Sequence, residues 1–241
     1  MRRTVISLLT VVSVTLVGGT QACASALSSQ GTIPASVGTG DAPGITPSAS
    51  PASQSMAALN ALPVKGRAPK TGYSREKFGQ AWSDDVVVEF GHNGCDTRND
   101  ILRRDLTGTI LKEGTRGCVV LSGILHDPYT ATEIAFTRGK ATSSAVQIDH
   151  VVALSNAWQT GAQQLSDDQR RNLANDPLNL LAVDGAANQQ KGDRDAATWL
   201  PRNKAFRCTY VSRQVEVKTK YQLWVTAPEK EAIGRILAQC P

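Results

Sequence analysis

An aspartate and a histidine stand side by side in the segment "IDHVVALSNAW", residues 148–158. Asp149 can supply a hard oxygen ligand to Mg²⁺, Mn²⁺ or Ca²⁺. His150 is one of three histidines in the chain, and an imidazole can act as a general base near neutral pH. The two residue types suit metal-assisted hydrolysis, whereas a surface ion pair at a strand end would use the same residues without chemistry.

Three more polar residues follow downstream. Asn179 lies in the apolar run "LNLLAV", residues 178–183, and Asn188 and Lys191 lie in the next segment. The amide oxygen of Asn188 is a second possible ligand for a cation. Because adjacent residues of a strand point to opposite faces, Asp149 and His150 can serve one site only where their strand ends or bends.

Local patterns predict the elements that carry these residues. Residues 145–154, "AVQIDHVVAL", and residues 178–183 are typical of strands. Asp184 is a plausible N-cap for a helix that runs to Lys191 and breaks at Gly192. The order strand, strand, helix can surround one metal ion.

The connection between the two strands contains its own helix signal. The segment "LSDDQRRNLANDP", residues 165–177, has a capping box formed by Ser166 and Gln169, and Pro177 stops the run. A helix is therefore expected there.

The remaining segments indicate the α+β class. A β-branched run at 84–90 predicts a strand, 95–108 a short helix or turn, and 108–136 a small antiparallel sheet. Residues 208–225 are compatible with either a strand or a helix. Residues 227–240 predict an amphipathic terminal helix.

The spacing of Asp149-His150, Asn179 and Asn188 resembles the HNH endonucleases and their ββα-metal fold. The wider text "IDHVVALSNAW…NDPLNLLAVDGAANQQKGD…WLP" is similar to the secreted bacterial branch of HNH proteins. That branch is related to the C-terminal domain of GmrSD-type restriction enzymes. The resemblance covers residues 84–241, including "CDTRNDIL" and "DPYT". It implies a ββα core with additional strands and a C-terminal helix.

The resemblance implies a role for each matching residue. Asp149 and Asn188 would hold one divalent cation, and an asparagine ligand favours Mg²⁺ or Mn²⁺ over zinc. His150 would activate water for attack on a phosphodiester. Asn179 would hold the ββα turn and help to orient the histidine, and Lys191 would contact phosphate.

The implied activity is that of a metal-dependent endonuclease. Nucleic acid is then the expected partner, with DNA favoured over RNA, and no protein partner is indicated. Arg98 is a further candidate for phosphate contact, because a guanidinium can bind phosphate through two hydrogen bonds; its alternative is a salt bridge to Asp96 or Asp100. Two other functions stay open: a non-catalytic envelope or binding protein, and a secreted nuclease toxin.

The N-terminal part of the chain predicts export. Residues 1–26 have a basic start, a short apolar core and small residues, as a signal peptide does. Residues 27–70 are rich in Ser, Pro, Gly and Ala and predict a disordered spacer, with a brief helical turn around Met56 to Leu62 as the one exception. The folded domain is expected at 71–241. Lipid attachment at Cys23 is the less favoured alternative to simple secretion, because Gln21 makes a poor lipoprotein signal.

The distribution of charge and the number of cysteines bear on nucleic-acid binding and on disulfide formation. The net charge of +5 lies mostly before residue 71, because 71–241 hold 21 basic and 20 acidic residues. The pI therefore does not indicate a nucleic-acid-binding surface. Four cysteines remain after Cys23, and an exported chain with an even number favours disulfides. Of three possible pairings, the flanked segments favour Cys95–Cys118 and Cys208–Cys240.

Overall fold

The computed structural model describes residues 50–241. The expected signal peptide, Cys23 and the first part of the expected spacer lie outside the described residues. Within the described range the helices are α1 Pro51–Ala61, α2 Thr97–Asp105, α3 Leu154–Gln159, α4 Asp167–Asn175, α5 Gly185–Lys191, α6 Arg207–Lys220 and α7 Ala227–Leu237. The strands are β1 Leu106–Leu111, β2 Val120–His126, β3 Glu133–Thr137, β4 Val146–His150 and β5 Leu180–Asp184.

The strands form two antiparallel sheets. One sheet has the order β1-β2-β3, and the other pairs β4 with β5, so that His150 lies opposite Leu180. Helices α3 and α4 lie in the connection between β4 and β5, and α5 follows β5 directly. The α+β class and the succession of two strands and a helix, which the sequence predicted, are therefore confirmed.

The β4–β5 sheet lies between two apolar clusters. Leu180 and Ala182 pack with Ile148 of β4 and with α2, whereas Leu181 and Val183 pack with α1, α6 and α7. This division follows the strand alternation of side chains. Burying each large aliphatic side chain contributes about 1.5–3 kcal/mol, so both faces of the sheet are fixed.

Helix α1 corrects the expected boundary between spacer and domain. Its N-cap is Ser50, and its apolar residues Leu59 and Leu62 are buried against α6 and α7. The part of the expected spacer from residue 51 to 62 is thus packed onto the domain. The Ser, Ala and Pro content of this segment indicated disorder, but two leucines, Leu59 and Leu62, are enough to bury it against the core.

Residues 84–90 form turns and bends instead of the strand expected from their valines. The carboxylate of Asp84 accepts hydrogen bonds from the main-chain N–H groups of Asn93 and Gly94, at 3.0 and 2.9 Å. Val87 is 83% exposed. The chain therefore folds back around Asp84, and these hydrogen bonds override the β propensity of the valines at 86–88.

The ambiguous segment 208–225 is mainly helical. Its buried residues Tyr210, Val211, Gln214, Val215 and Lys218 recur at helical spacing and form one face of α6. The strand-like alternation of the sequence was the weaker signal.

The structure contains both expected disulfides, Cys95–Cys118 and Cys208–Cys240. The first joins the segment just before the N-cap of α2 to the segment that leads into β2, and the second joins α6 to the end of the chain after α7. Both pairings confirm the sequence prediction.

Candidate active site

His150 is the last residue of β4 and is buried. Its Nε2 lies 2.9 Å from the main-chain carbonyl oxygen of Ala174. Because a carbonyl only accepts hydrogen bonds, Nε2 carries the hydrogen, and in the neutral ring Nδ1 keeps the free lone pair. The geometry thus leaves Nδ1 as the basic nitrogen.

The surroundings of His150 keep its ring neutral. Burial, and then the positive charge of Arg75, lowers the pKa of His150 to about 3, against the opposing effect of the Ala174 hydrogen bond. The indole of Trp82 stacks on the imidazole, with ring centroids 6.0 Å apart and planes inclined by 15°. The ring is therefore held in one orientation with an unprotonated nitrogen, which is the state that a general base requires.

Asp149 makes its contacts on the opposite side of β4. The Tyr129 hydroxyl donates to Oδ2 at 2.5 Å, and the Lys191 ammonium donates to Oδ1 at 3.0 Å. Burial raises the pKa of Asp149, although Lys191 and Tyr129 both act to lower it. The carboxylate is therefore the buried partner of a lysine as well as the expected cation ligand.

Lys191 does not have the position that a phosphate contact requires. Its side chain is fully buried, and its Nζ donates to Asp149 and, at 2.8 Å, to the main-chain oxygen of His150. The expected phosphate contact is corrected by this burial. The lysine instead joins the end of α5 to the end of β4 and supplies the counter-charge for Asp149.

Asn179 supports the turn that follows His150. Its Oδ1 accepts from the N–H of Val152 at 2.8 Å, and its Nδ2 donates to the oxygens of Val152 and Leu173. Leu173 directly precedes Ala174, the hydrogen-bond partner of His150. One buried amide thereby ties the strand end to α4.

Asn188 lies in α5, and its Nδ2 donates to Oε1 of Gln147 at 2.9 Å. Arg98 lies elsewhere. Its Nη2 donates to the oxygen of Val146 at 3.3 Å, at the end of β4 opposite to His150. Four strand residues span about 13 Å, so the Arg98 guanidinium is not beside the imidazole.

A cavity of about 250 Å³ opens at the end of β4. Three of the expected site residues line it, Asp149, His150 and Asn188, whereas Asn179, Lys191 and Arg98 do not. The remaining lining residues come from both sides of the strand end: Tyr73, Arg75, Ile148, Ala153, Leu154, Ser155, Gly192 and Asp193. The proposed base and the two proposed ligands therefore face one space.

Asp149 and Asn188 fit a divalent cation by the chemistry of their donors. A carboxylate has about four lone-pair positions, and Tyr129 and Lys191 use one on each oxygen. Asn188 Oδ1 accepts no hydrogen bond from the described residues. Lys191 opposes a second cation at Asp149, so binding should be weak before a negative substrate arrives. Residues 50–241 contain no group of three or more His, Cys, Asp or Glu that could hold a metal.

Three residues of the site were not found from the sequence. Tyr129 belongs to the block "DPYT", for which the sequence alone indicates no role. Arg75 and Trp82 are separated from His150 by about 70 residues of chain, and no local pattern links them. Only the tertiary structure brings Arg75 to the cavity, Trp82 onto the His150 ring and Tyr129 to the Asp149 carboxylate.

Residues 96–236 match the family described as "GmrSD restriction endonucleases, C-terminal domain", more than half of the chain. The chain therefore belongs to this family. It is also 38% identical over 192 residues to an "Uncharacterized secreted protein" of Arthroderma benhamiae, covering 78% of this chain and 86% of the relative. No solved structure matches it.

The family places the chain among domains related to restriction endonucleases. Asp149, His150, Asn179 and Asn188 all lie within the matched region, whereas Arg75 and Trp82 precede it. None of the helices between residues 50 and 241 has the length and apolar character needed to cross a membrane.

Proposed function

We propose that this protein is an exported metal-dependent endonuclease that hydrolyses phosphodiester bonds. The observation that carries the proposal is the state of His150: its Nε2 is fixed as a donor to Ala174, its ring is neutral, and it faces a cavity with Asp149 and Asn188. Family membership supports the reaction class. The two disulfides and the secreted relative support export.

In this proposal Nδ1 of His150 accepts a proton from the attacking water. The Ala174 carbonyl holds the other ring nitrogen, so the ring need not turn during the transfer. The low pKa of the free enzyme's His150 makes it a weak base. A bound phosphodiester brings negative charge next to the ring, and an opposite charge raises the pKa of an imidazole toward the operating pH.

Asp149 and Asn188 would hold one Mg²⁺ or Mn²⁺, which supplies charge stabilisation at the phosphoryl group and the leaving oxygen. Lys191 and Tyr129 keep the Asp149 carboxylate in place. Asn179 keeps the strand end and α4 together, and α4 carries the Ala174 carbonyl that holds the His150 ring. The preferred substrate is DNA, with RNA as the second choice.

The test uses the purified protein with plasmid DNA and with RNA, in Mg²⁺, Mn²⁺ or EDTA. We expect cleavage only with a metal, and a rate about 10²- to 10⁴-fold lower for His150→Ala. The matched control is His126→Ala, because that imidazole is 64% exposed and lies outside the cavity. Equal rates for wild type and His150→Ala, or binding of nucleic acid without any cleavage, would favour the non-catalytic binding protein instead.

A further inference from the structure

Two residues of the cavity lining come from a segment that precedes the matched family region. Tyr73 and Arg75 line the cavity, and Trp82 stacks on the His150 ring. Arg75 begins a short 3-10 helix, Arg75–Phe78, that packs against α4. This short helix, which precedes the matched region, thus places the Arg75 guanidinium in the cavity that His150 lines.

Arg75 is the charged group of this cavity that has no partner of opposite charge. Asp149 is paired with Lys191, and Asp193 accepts from Lys70 at 3.1 Å and from Ser155 at 2.9 Å. Within residues 50–241, the Arg75 guanidinium forms no ion pair or hydrogen bond, and it lies over the face of Trp82, 5.9 Å from the ring centroid. The cavity therefore presents one uncompensated positive charge beside His150.

We propose that Arg75 binds the substrate phosphate in the cavity that His150 also lines. The assignment rests on the proposed nuclease function. A guanidinium suits this position because its planar fork can donate two hydrogen bonds to one phosphate. The contact with the Trp82 ring restricts the Arg75 side chain, so less freedom is lost when phosphate binds. Arg75 thereby takes the role that the sequence had suggested for Arg98 and Lys191.

The test compares Arg75→Gln and Arg75→Lys with Lys77→Gln. Lys77 lies in the same short helix, is exposed and does not line the cavity, so its loss removes the same charge nearby. Two readouts separate binding from chemistry. One is the affinity for a short labelled DNA duplex, measured in EDTA in the His150→Ala background. The other is hydrolysis of bis(4-nitrophenyl) phosphate, a substrate with one phosphate.

We expect Arg75→Gln to weaken duplex binding about tenfold and to lower kcat/KM on the small diester about 100-fold. Arg75→Lys should fall between Arg75→Gln and wild type, because it keeps the charge but loses the fork. Lys77→Gln should stay within about twofold of wild type on the small diester. Thermal melting should be unchanged in all three variants, because both side chains are exposed.

Equal effects of Arg75→Gln and Lys77→Gln in both measurements would overturn the assignment, whatever the wild-type rate. A wild-type protein that binds DNA through Arg75 but cleaves neither substrate would keep the assignment and reject the nuclease activity. The two hypotheses can therefore fail separately.

Discussion

Replacing Lys191 with methionine tests whether the buried pair with Asp149 is structural. The ammonium is fully buried and donates to Asp149 Oδ1 and to the His150 oxygen. Without it, the buried carboxylate loses its ion-pair partner and keeps the hydrogen bond from Tyr129. Breaking a buried ion pair from one side costs about 3–5 kcal/mol, because the remaining charge is uncompensated. For a domain of this size, Tm should fall by about 6–20 °C.

The pH dependence gives a second, sharper expectation. Burial already raises the pKa of Asp149 in the wild type, and loss of the lysine charge removes one of the influences that lower it. A folded-state pKa above the unfolded value of about 3.9 contributes stability at low pH that is lost as pH rises through the folded pKa. The deficit of Lys191→Met should therefore be larger at pH 7.5 than at pH 5.

The measurement is urea unfolding of wild type, Lys191→Met and the double variant Asp149→Asn/Lys191→Met at both pH values. The double variant has no buried charge, so it should be more stable than Lys191→Met at pH 7.5 and should lose the pH effect. The exposed Lys204 provides the control, since Lys204→Met should change stability by less than about 0.5 kcal/mol. A deficit below about 1 kcal/mol that is equal at both pH values would refute the buried-pair reasoning. If Lys191→Met weakened DNA binding without lowering stability, the phosphate contact predicted for Lys191 from the sequence would be supported instead.

Two further predictions concern the cation and a disulfide. Asp149→Asn and Asn188→Ala should each raise the Mg²⁺ or Mn²⁺ concentration needed for half-maximal cleavage, because each removes part of the oxygen donor set; unchanged metal dependence in both variants, or full activity in EDTA, would show that these residues do not hold the cation. The double change Cys208→Ser/Cys240→Ser should lower the free energy of unfolding by about 3–4 kcal/mol, as expected for a closed loop with a sequence separation of 32; a urea midpoint equal to that of the oxidised wild type would contradict it.

The elements that position the site could be predicted because their signals are local. The apolar residues of β4 and β5, the Asp184 N-cap and the break at Gly192 all stand within a few residues of the structure they specify. The capping box of α4 likewise uses Ser166 and its near neighbour Gln169. The structure that these local patterns predict is observed because the tertiary contacts favour the same structure.

The sequence predictions failed where the structure depends on contacts between residues that are far apart in the chain. Helix α1 has few large apolar residues, and it is held because Leu59 is buried in one apolar cluster with Ile233 and other residues far along the chain. The role of Lys191 depends on its burial, which requires Asp149 and the surrounding packing. A lysine near the end of a short helix gives no such indication by itself, since most lysines are exposed. Arg75 was missed for the same reason.

The end of β4 explains how two adjacent strand residues can serve one cavity. Alternation directs Asp149 toward Tyr129 and Lys191, and His150 toward Ala174 and Trp82. The strand pairing stops at His150, and Asn179 takes over the main-chain hydrogen bonds of the next two residues with its own carbonyl and side chain. Because the strand does not continue, the cavity can wrap around its end and reach side chains from both faces. The condition that the sequence imposed on Asp149 and His150 is therefore met by the termination of the strand, and a single buried asparagine largely fixes where that termination falls.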